Sequence, residues 1–585
     1  MQIIDLIFEL YKHNSLSKVV IHGEIIWPMT ATHMTSTENS IHTIQEHSNI
    51  QEIIQQNISG ISRNSQTVQK HDLFVCIEGA RFDGHTIVHS VDAVAFLCEK
   101  EVEYIGEGVV LMVPNTRHAM GIAAALFYQK PSESMFCIGV TGTNGKTTTV
   151  SMIEQFCNLL DIPIGTIGTM GHKINGILTE QQDGHTTPES PFLQKLLFDM
   201  KQQHCAIVAM EVSSIGLDME RLAGLKFDVA GFSNFSRDHL GFHGSMENYA
   251  TAKQKLFVNH VYKKSIEHSD SKTSISIVNC DDEAFSFITK TDIQIESSLT
   301  HTILFGTSAP NHKQHCQIIS MEQRKFGIQL SLWFGGTEHQ ILLPLIGLHN
   351  VYNALLAFLS LKSIEKPLRD GGLLKEHQHI DLHLLSQLGT IRGRLEKPLE
   401  NKLIFVDYAH TPDALNHALQ TLQLLRQEAG LQSKIMVVFG CGGNRDKGKR
   451  SEMGTIACHL ADVVIVTSDN PRDEDPKSIM DDIFEGIQID HPSTVTSHAI
   501  LDRRSAISFA IESMQPDDIV LIAGKGHETY QEVLGQKYPF DDVLVVQEIF
   551  AAKTTNSEES THAMHQFSIP KNSNPNSSKK SGCSS

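Results

Sequence analysis

The chain predicts an α/β fold built on mainly parallel sheets, and three observations carry that prediction. The first is a strand–loop–helix passage. Apolar Met135–Val140 enters the run Val140-Thr-Gly-Thr-Asn-Gly-Lys-Thr-Thr-Thr149, and a helical pattern over Val150–Leu160 leaves it. The second is the alternation of short apolar strands with helical periods from 131 to about 388. Ala206–Val212 and Val229–Ser233 are its clearest strands, and such alternation makes βαβ units. The third is a set of further short apolar strands, Leu403–Asp407, Lys434–Phe439, Val463–Thr467 and Asp518–Ala523. Helical patterns separate them, as in a doubly wound domain.

A length of 585 residues implies about three or four domains at ~150 residues each. Residues 1–130 alternate short apolar strands with polar turns. Asp72–Gly79 reads as a buried strand ending at a Gly turn. The weakly patterned polar stretch at about 30–57 reads as a loop or insertion. Pro131 marks a boundary before the strand that feeds the glycine-rich run. The central unit is then 131–388 and the third 389–550. The Ser/Asn/Lys/His-rich end, 551–585, is expected to be a disordered tail.

Composition excludes several classes. A net charge of -19 argues against nucleic acid as a partner, because phosphate binding needs a basic face. Ten cysteines form no C-x-x-C pair and no zinc-spaced cluster, so they read as reduced thiols of a cytoplasmic protein. No apolar run reaches the ~18 residues of a membrane span. The opening Met1–Leu10 carries acids and lacks a basic leader, so no signal peptide is expected.

The run at 140–149 suits a nucleotide phosphate. Gly142 and Gly145 let the backbone fold tightly enough to aim several N–H groups at one anion. The following helix adds the positive end of its dipole. Lys146 is placed to reach the outer phosphates of ATP, and the Thr147 hydroxyl suits Mg²⁺. The common G-x-x-x-x-G-K-[ST] register is imperfect, since it puts Val140 where the first Gly belongs. Magnesium needs further oxygen ligands. Glu211 ends a strand candidate and His239 follows the next, and ligands gather at the carboxyl ends of such strands.

Thr141–Thr148 resembles the nucleotide signature of the Mur ligases, ATP-dependent amide-forming enzymes of peptidoglycan precursor synthesis. Further motifs fall in that family's order: Met210-Glu-Val-Ser-Ser214, Ser236-Arg-Asp-His-Leu240, Ala252-Lys-Gln-Lys-Leu-Phe257, Gly347-Leu-His-Asn-Val-Tyr-Asn353, Gly393-Arg-Leu-Glu396 and Val406-Asp-Tyr-Ala-His-Thr-Pro412. The resemblance covers most of 60–545. It implies three domains: a uridine-binding N-terminal domain, a central P-loop ATPase domain and a Rossmann-like C-terminal domain that binds the amino acid. It implies ATP contacts at Gly142, Thr143, Asn144, Gly145, Lys146, Thr147, Thr148, Asn350, Asn353, Arg394 and Asp407. It also implies that Lys253 is carbamylated and joins Thr147, Glu211 and His239 around magnesium. Taken alone, Lys253 reads as a solvated helix lysine. The catalytic set is then Lys146, Lys253, Glu211 and His239.

Asp469-Asn-Pro-Arg472 resembles the motif by which the tripeptide-forming member recognises meso-diaminopimelate. Pro471 stiffens the loop, and Arg472 offers a planar fork for a carboxylate. Lysine-adding relatives lack this Arg, because lysine has no second carboxylate at its far end. Arg445 matches a second carboxylate contact. Glu528 and the Gly524 carbonyl match groups that receive the distal ammonium. The other substrate implied is a UDP-N-acetylmuramoyl dipeptide. It would be held by Ser65 of Asn64–Val68, by Thr186 and Thr187 of Thr186-Thr-Pro-Glu189, and by Ser213 and Arg221. Three positions depart from the family pattern: Gln66 replaces its usual Arg, Ile215 its usual His, and Met219 its usual Gln.

The expected reaction activates the D-glutamyl γ-carboxylate as an acyl phosphate, which the diaminopimelate amine then displaces. The sequence names no general base for that amine. The expectation is a monomeric bacterial cytoplasmic enzyme without membrane insertion. The competing readings are a paralogue with another acyl acceptor, a lysine-adding enzyme, a folylpolyglutamate- or cyanophycin-type ligase, and a catalytically silent regulatory paralogue.

Overall fold

The computed structural model describes 1–22, 24–28, 48–79, 82–103, 106–180, 184–261, 274–284, 287, 301–489 and 494–552. These residues form two compact units that part between Ile391 and Arg392. The expected tail lies outside the described residues apart from its first two, which end a helical run over 542–552. Most of the polar insertion, 30–47, lies outside them as well. Its remainder departs from the loop expected there, because Ser48–Ile54 is a helix. The packing reason is Ile54, buried to 2% exposure in the first core, with Ile50 and Ile53 against the same cluster.

Unit one carries two sheets. The first runs Glu24–Pro28, Lys18–Ile21, Val109–Met112, Ala95–Cys98, Asp72–Val75, Gly60–Ser62. Lys18–Ile21 is antiparallel to both neighbours and the remaining pairs are parallel. Asp72–Val75, Ala95–Cys98 and Val109–Met112 are buried along their whole length, as expected of strands covered on both faces. The second sheet has eleven strands. Its order begins Ile177–Leu178, Gly171–Ile174, Ile164–Gly168, Ile207–Glu211, Phe136–Thr141, Val229–Phe232, Ile275–Asn279, His301–Gly306. Cys316–Arg324, Gly327–Phe334 and Thr337–Leu343 follow, and they meander antiparallel.

The position of Phe136–Thr141 matters most. From it the chain crosses to Ile164–Gly168, returns to Ile207–Glu211, then passes to Val229–Phe232 on the other side. The carboxyl end of Phe136–Thr141 is therefore a switch point, where a parallel sheet opens a crevice. Helix Lys146–Leu159 packs on helix His349–Ser363 over this sheet. Phe156, Ile153, Val351, Leu355 and Phe358 share one core cluster there. Truncating Phe156 to Ala would cost about 3–5 kcal/mol, because that core is closed around it.

Unit two holds an all-parallel sheet in the order Ile404–Asp407, Ile519–Ala523, Ile435–Phe439, Val463–Val466, Thr496–Ala499, with a hairpin Tyr530–Val533/Gln536–Pro539. The expected strands agree with these to within a residue or two at each end. Helix Lys146–Leu159 begins four residues before the helical period shows, because Lys146, Thr147 and Thr148 carry site chemistry on its first turn. No described helix is long and apolar enough to cross a membrane. The described cysteines are free thiols; Cys76 and Cys98 lie 3.5 Å apart without a bond.

Candidate active site

The loop after Phe136–Thr141 is locked from below. Thr143 N–H donates to Asn234 O (2.8 Å) and Asn144 N–H to Asn234 Oδ1 (2.9 Å). Gly142 at φ +148° has no room for a side chain, since a Cβ there would sit 1.9 Å from Ser233 Oγ. Gly145 caps helix Lys146–Leu159 at φ +85° with no side-chain cap. The first helical N–H groups thus lack an internal acceptor and carry the dipole's positive end. Asn353 closes against Gly145 and donates from Nδ2 to Asn350 Oδ1 (3.1 Å), so both expected asparagines stand behind the loop.

Four of the expected polar residues meet at this strand end. Thr147 Oγ1 donates to Glu211 Oε2 at 2.8 Å. Thr169, which the sequence did not single out, donates to Glu211 from its N–H (2.8 Å) and from Oγ1 (3.2 Å). Lys146 Nζ donates to the carbonyls of Gly142 (2.9 Å) and Thr143 (2.8 Å). Lys253 Nζ donates to that same Gly142 carbonyl at 2.7 Å.

Lys253 is not the solvated lysine its helical context suggested: it is 2% exposed and sits 4.5 Å over the Tyr249 ring. Helix Met246–Asn259 places Tyr249 and Lys253 one turn apart on its buried side. Burial, and then the Lys146 ammonium, hold the Lys253 amine well below the usual lysine range, with Asp238 opposing. Two lysine nitrogens on one carbonyl cannot both stay cationic cheaply, so the charged form of Lys253 is disfavoured.

His239 stands apart from the carboxylate. It has φ +52°, its side chain is 47% exposed, and its ring meets Tyr249 edge-on at 6.1 Å between centroids. Among the described residues no three His, Cys, Asp or Glu side chains converge on one point. The hydroxyl and carboxylate of Thr147 and Glu211 nevertheless suit a hard oxygen-seeking cation such as Mg²⁺. A carbamate on Lys253 would add oxygens of the same kind.

Behind Glu211 the acyl side of the pocket is built from backbone and hydroxyls. Thr187 Oγ1 donates to Glu211 O (3.0 Å) and accepts from Ser213 N–H (2.9 Å). Thr186 Oγ1 is 3.1 Å from Thr169 Oγ1, and Arg221 Nη1 donates to Thr187 O (2.9 Å). Thr186, Thr187, Ser213 and Arg221 are therefore neighbours. Ser65 lies in an exposed turn with Gln66, whose N–H donates to Asn64 Oδ1 (2.9 Å). Ile215 lies in the short helix Ser214–Asp218 and Met219 caps its end; both are half-buried.

Unit two gathers its expected residues at the carboxyl ends of adjacent strands. Asn470 Nδ2 donates to Glu528 Oε2 (2.8 Å). Arg472 holds φ +52°, and its Nη1 donates to Gly443 O (2.8 Å) while Nε lies 3.2 Å from Glu532. A Cβ on Gly442 would lie 2.9 Å from Arg472 Nη1 and 3.8 Å from Arg445 Cγ, so the two guanidinium chains flank one glycine. Gly524 at φ +114° leaves room for Asp469, whose buried carboxyl is raised above its usual range by desolvation. Lys525, fully buried, ties the group together. Its Nζ donates to Asn470 Oδ1 (3.0 Å) and Glu528 Oε2 (3.2 Å) and lies 3.5 Å from Asp469. Sequence reading missed Lys525, although its place inside Gly524–Glu528 marked it. Asp407 accepts from Leu395 N–H (2.7 Å) and is raised by burial, with Arg394 opposing; the Arg394 guanidinium lies 5.7 Å from the Tyr408 ring.

Three family models match the chain. The Mur ligase family, catalytic domain, matches 57–128; the Mur ligase middle domain 140–361; the Mur ligase, glutamate ligase domain, 393–526. The chain belongs to the Mur ligase family. It has that family's three-domain α/β architecture with mostly parallel sheets. Among its relatives is a UDP-N-acetylmuramoyl-L-alanyl-D-glutamate–2,6-diaminopimelate ligase of Cytophaga hutchinsonii, 36% identical over 84% of this chain and 94% of that protein. A ligase of the same name from Caldanaerobacter subterraneus is 37% identical over 84% and 95%. A solved ligase of that name aligns with a TM-score of 0.61 at 30% identity, covering 86% of this chain and 99% of the other.

Proposed function

We propose that this Mur ligase joins meso-2,6-diaminopimelate to UDP-N-acetylmuramoyl-L-alanyl-D-glutamate at the cost of ATP, a step of peptidoglycan precursor synthesis. The observation that carries the substrate choice is Arg472, flanking Gly442 with Arg445 at the rim of the Asn470–Glu528 pair. Two forks suit the distal carboxylate, and Glu528 with the Gly524 carbonyl suits the distal ammonium. The relatives that carry this activity in their names support the same reading.

In the first step the D-glutamyl γ-carboxylate attacks the γ-phosphorus of ATP; ADP leaves and an acyl phosphate forms. Lys146 swings from the Gly142 and Thr143 carbonyls to the outer phosphates, and the loop N–H groups offset charge on the transferring group. Gly142 to Thr148, Asn350, Asn353, Arg394 and Asp407 would contact the nucleotide. Thr147, Glu211, His239 and carbamylated Lys253 would hold Mg²⁺, which neutralises developing phosphate charge when bound. In the second step the neutral amine attacks the acyl carbon, the C–O bond to phosphate breaks, inorganic phosphate leaves carrying or releasing the proton the nitrogen loses, and the amide remains. Ser65, Thr186, Thr187, Ser213 and Arg221 would hold the acyl nucleotide; Arg445, Asp469–Arg472, Gly524 and Glu528 would hold the amino acid.

The domains would span 1–130, 131–388 and 389–550, in a monomeric cytoplasmic bacterial enzyme. The deciding experiment supplies ATP, magnesium and the dipeptide nucleotide with each candidate amino acid and follows phosphate release. Release with diaminopimelate and not lysine is expected. Equal release with both removes Arg472 from the reading, and release with neither removes the reading.

A further inference from the structure

Three guanidinium groups crowd one carboxylate on the acyl side of the pocket, and their charges do not balance. Glu189 Oε1 lies 3.0 Å from Arg221 Nη2, while Oε2 lies 3.4 Å from Arg63 Nη1 and 3.7 Å from Arg117 Nη1. Three cations face Glu189, and Glu99 is a second carboxylate that acts on Arg117, so cations outnumber these carboxylates three to two. Arginine does not shed its proton in compensation. The side chains of Arg221 and Glu189 are only 9% and 11% exposed, Arg117 is 21% exposed, and Arg63 reaches solvent at 47%.

Donors are left over as well as charge. Arg221 Nε and Arg117 Nη1 are buried and have no hydrogen-bond partner among the described residues. Leaving such donors unmet carries their full desolvation penalty, which is larger for a charged group. Burial, and beyond it the neighbouring Arg63 and Arg221, hold the Arg117 guanidinium below its usual range despite Glu189 and Glu99. An oxyanion against the cluster would remove both penalties.

Its place in the fold narrows which anion. Arg221 Nη1 and Thr187 O link the cluster to Thr187, and Thr187 Oγ1 reaches the backbone of Glu211. The cluster is thus a short step from the carboxylate that meets Thr147. Arg63 follows the strand Gly60–Ser62 of the first sheet, and Arg117 sits in the first turn of helix Thr116–Phe127. The cluster therefore joins the first sheet to the end of the second. An acyl nucleotide whose base lies on the first sheet and whose carboxyl end reaches Thr147 would cross it.

We propose that Arg63 and Arg117 act with Arg221 as an oxyanion subsite for the acyl nucleotide, Glu189 being the internal counter-charge that gathers the three forks. This rests on the functional reading above. The group held is an oxyanion of that nucleotide: its diphosphate, or a carboxylate of its D-glutamyl end.

Calorimetry on the full-length protein tests this with two probes: UDP-N-acetylmuramoyl-L-alanyl-D-glutamate, and the shorter UDP-N-acetylglucosamine, which keeps the diphosphate and carries no carboxylate. Arg63→Ala, at a half-exposed position, should raise the Kd for the full nucleotide about tenfold, as expected for a lost charge-assisted contact. The KM for ATP should not move. An equal loss on the shorter probe assigns the diphosphate, and a loss confined to the full nucleotide assigns the carboxylate. Arg117→Lys, with Tm followed in parallel, should weaken the nucleotide at a wild-type Tm. Wild-type Kd values for both probes in Arg63→Ala overturn the subsite, as does an equal rise in the KM for ATP. Failure of the wild-type protein to bind either probe overturns the functional reading itself.

Discussion

Lys253 shows how far a single residue can depart from its local appearance. On the helix Met246–Asn259 it has the sequence context of a surface lysine, yet the fold buries it on Tyr249 and the Gly142 carbonyl, beside Lys146. The sign of its linkage is definite. Its folded pKa lies below the unfolded one, so the unfolded chain binds the extra proton, and stability falls as pH drops from the unfolded value toward the folded one. The same depression enlarges the share of neutral amine at any given pH. That amine can attack CO₂, form an N–C bond and release a proton. With ¹³C-bicarbonate, a protein-bound carbamate resonance should appear at neutral pH, fade as pH falls through the depressed pKa, and be missing in Lys253→Arg. A resonance of unchanged intensity in Lys253→Arg would place the modification elsewhere. Arg472 is the second decisive residue. Arg472→Ala should raise the KM for diaminopimelate by the equivalent of about 2–5 kcal/mol while the KM for ATP holds. Equal weakening of both would show that Arg472 supports the fold of its unit rather than one substrate.

At the scale of the element, the strand–loop–helix around Gly142 and Gly145 was legible because its signals are local. Apolar strand, glycines at left-handed φ, a lysine and a hydroxyl all fall within one short stretch. The off-register glycine has a structural reason: Gly142 must pass under Ser233 and Gly145 under Asn353, contacts made by distant segments. Gly145→Ala should therefore do more than add the ~1–2 kcal/mol of a left-handed non-glycine residue, because its Cβ would stand 2.2 Å from Asn353 Oδ1. Lower Tm and weaker ATP binding are expected together. Gly176→Ala is the control, at φ +82° with nothing within 4 Å, and should lose only the backbone term. Equal effects of the two substitutions would show that Asn353 does not brace the loop. Ser48–Ile54 failed the same local test. Its sequence is polar and weakly periodic, and the helix exists because Ile54 finds the first core.

For the molecule as a whole, the sequence by itself determined the α/β class, several of the buried parallel strands, the phosphate loop and the Asp469–Arg472 motif. Each of these is written in contiguous residues, through periodicity, glycine placement or a short motif. The tertiary structure decided what meets across distance. It put Glu211 on Thr147, Lys253 beside Lys146, Lys525 among Asp469, Asn470 and Glu528, and Arg63, Arg117 and Arg221 around Glu189. No local pattern encodes those meetings, because burial and charge compensation depend on which strand ends the sheet order brings side by side. The same arginine is a solvated surface group in one place and part of a cation-rich, partly buried cluster in another, and only the packing around it distinguishes the two.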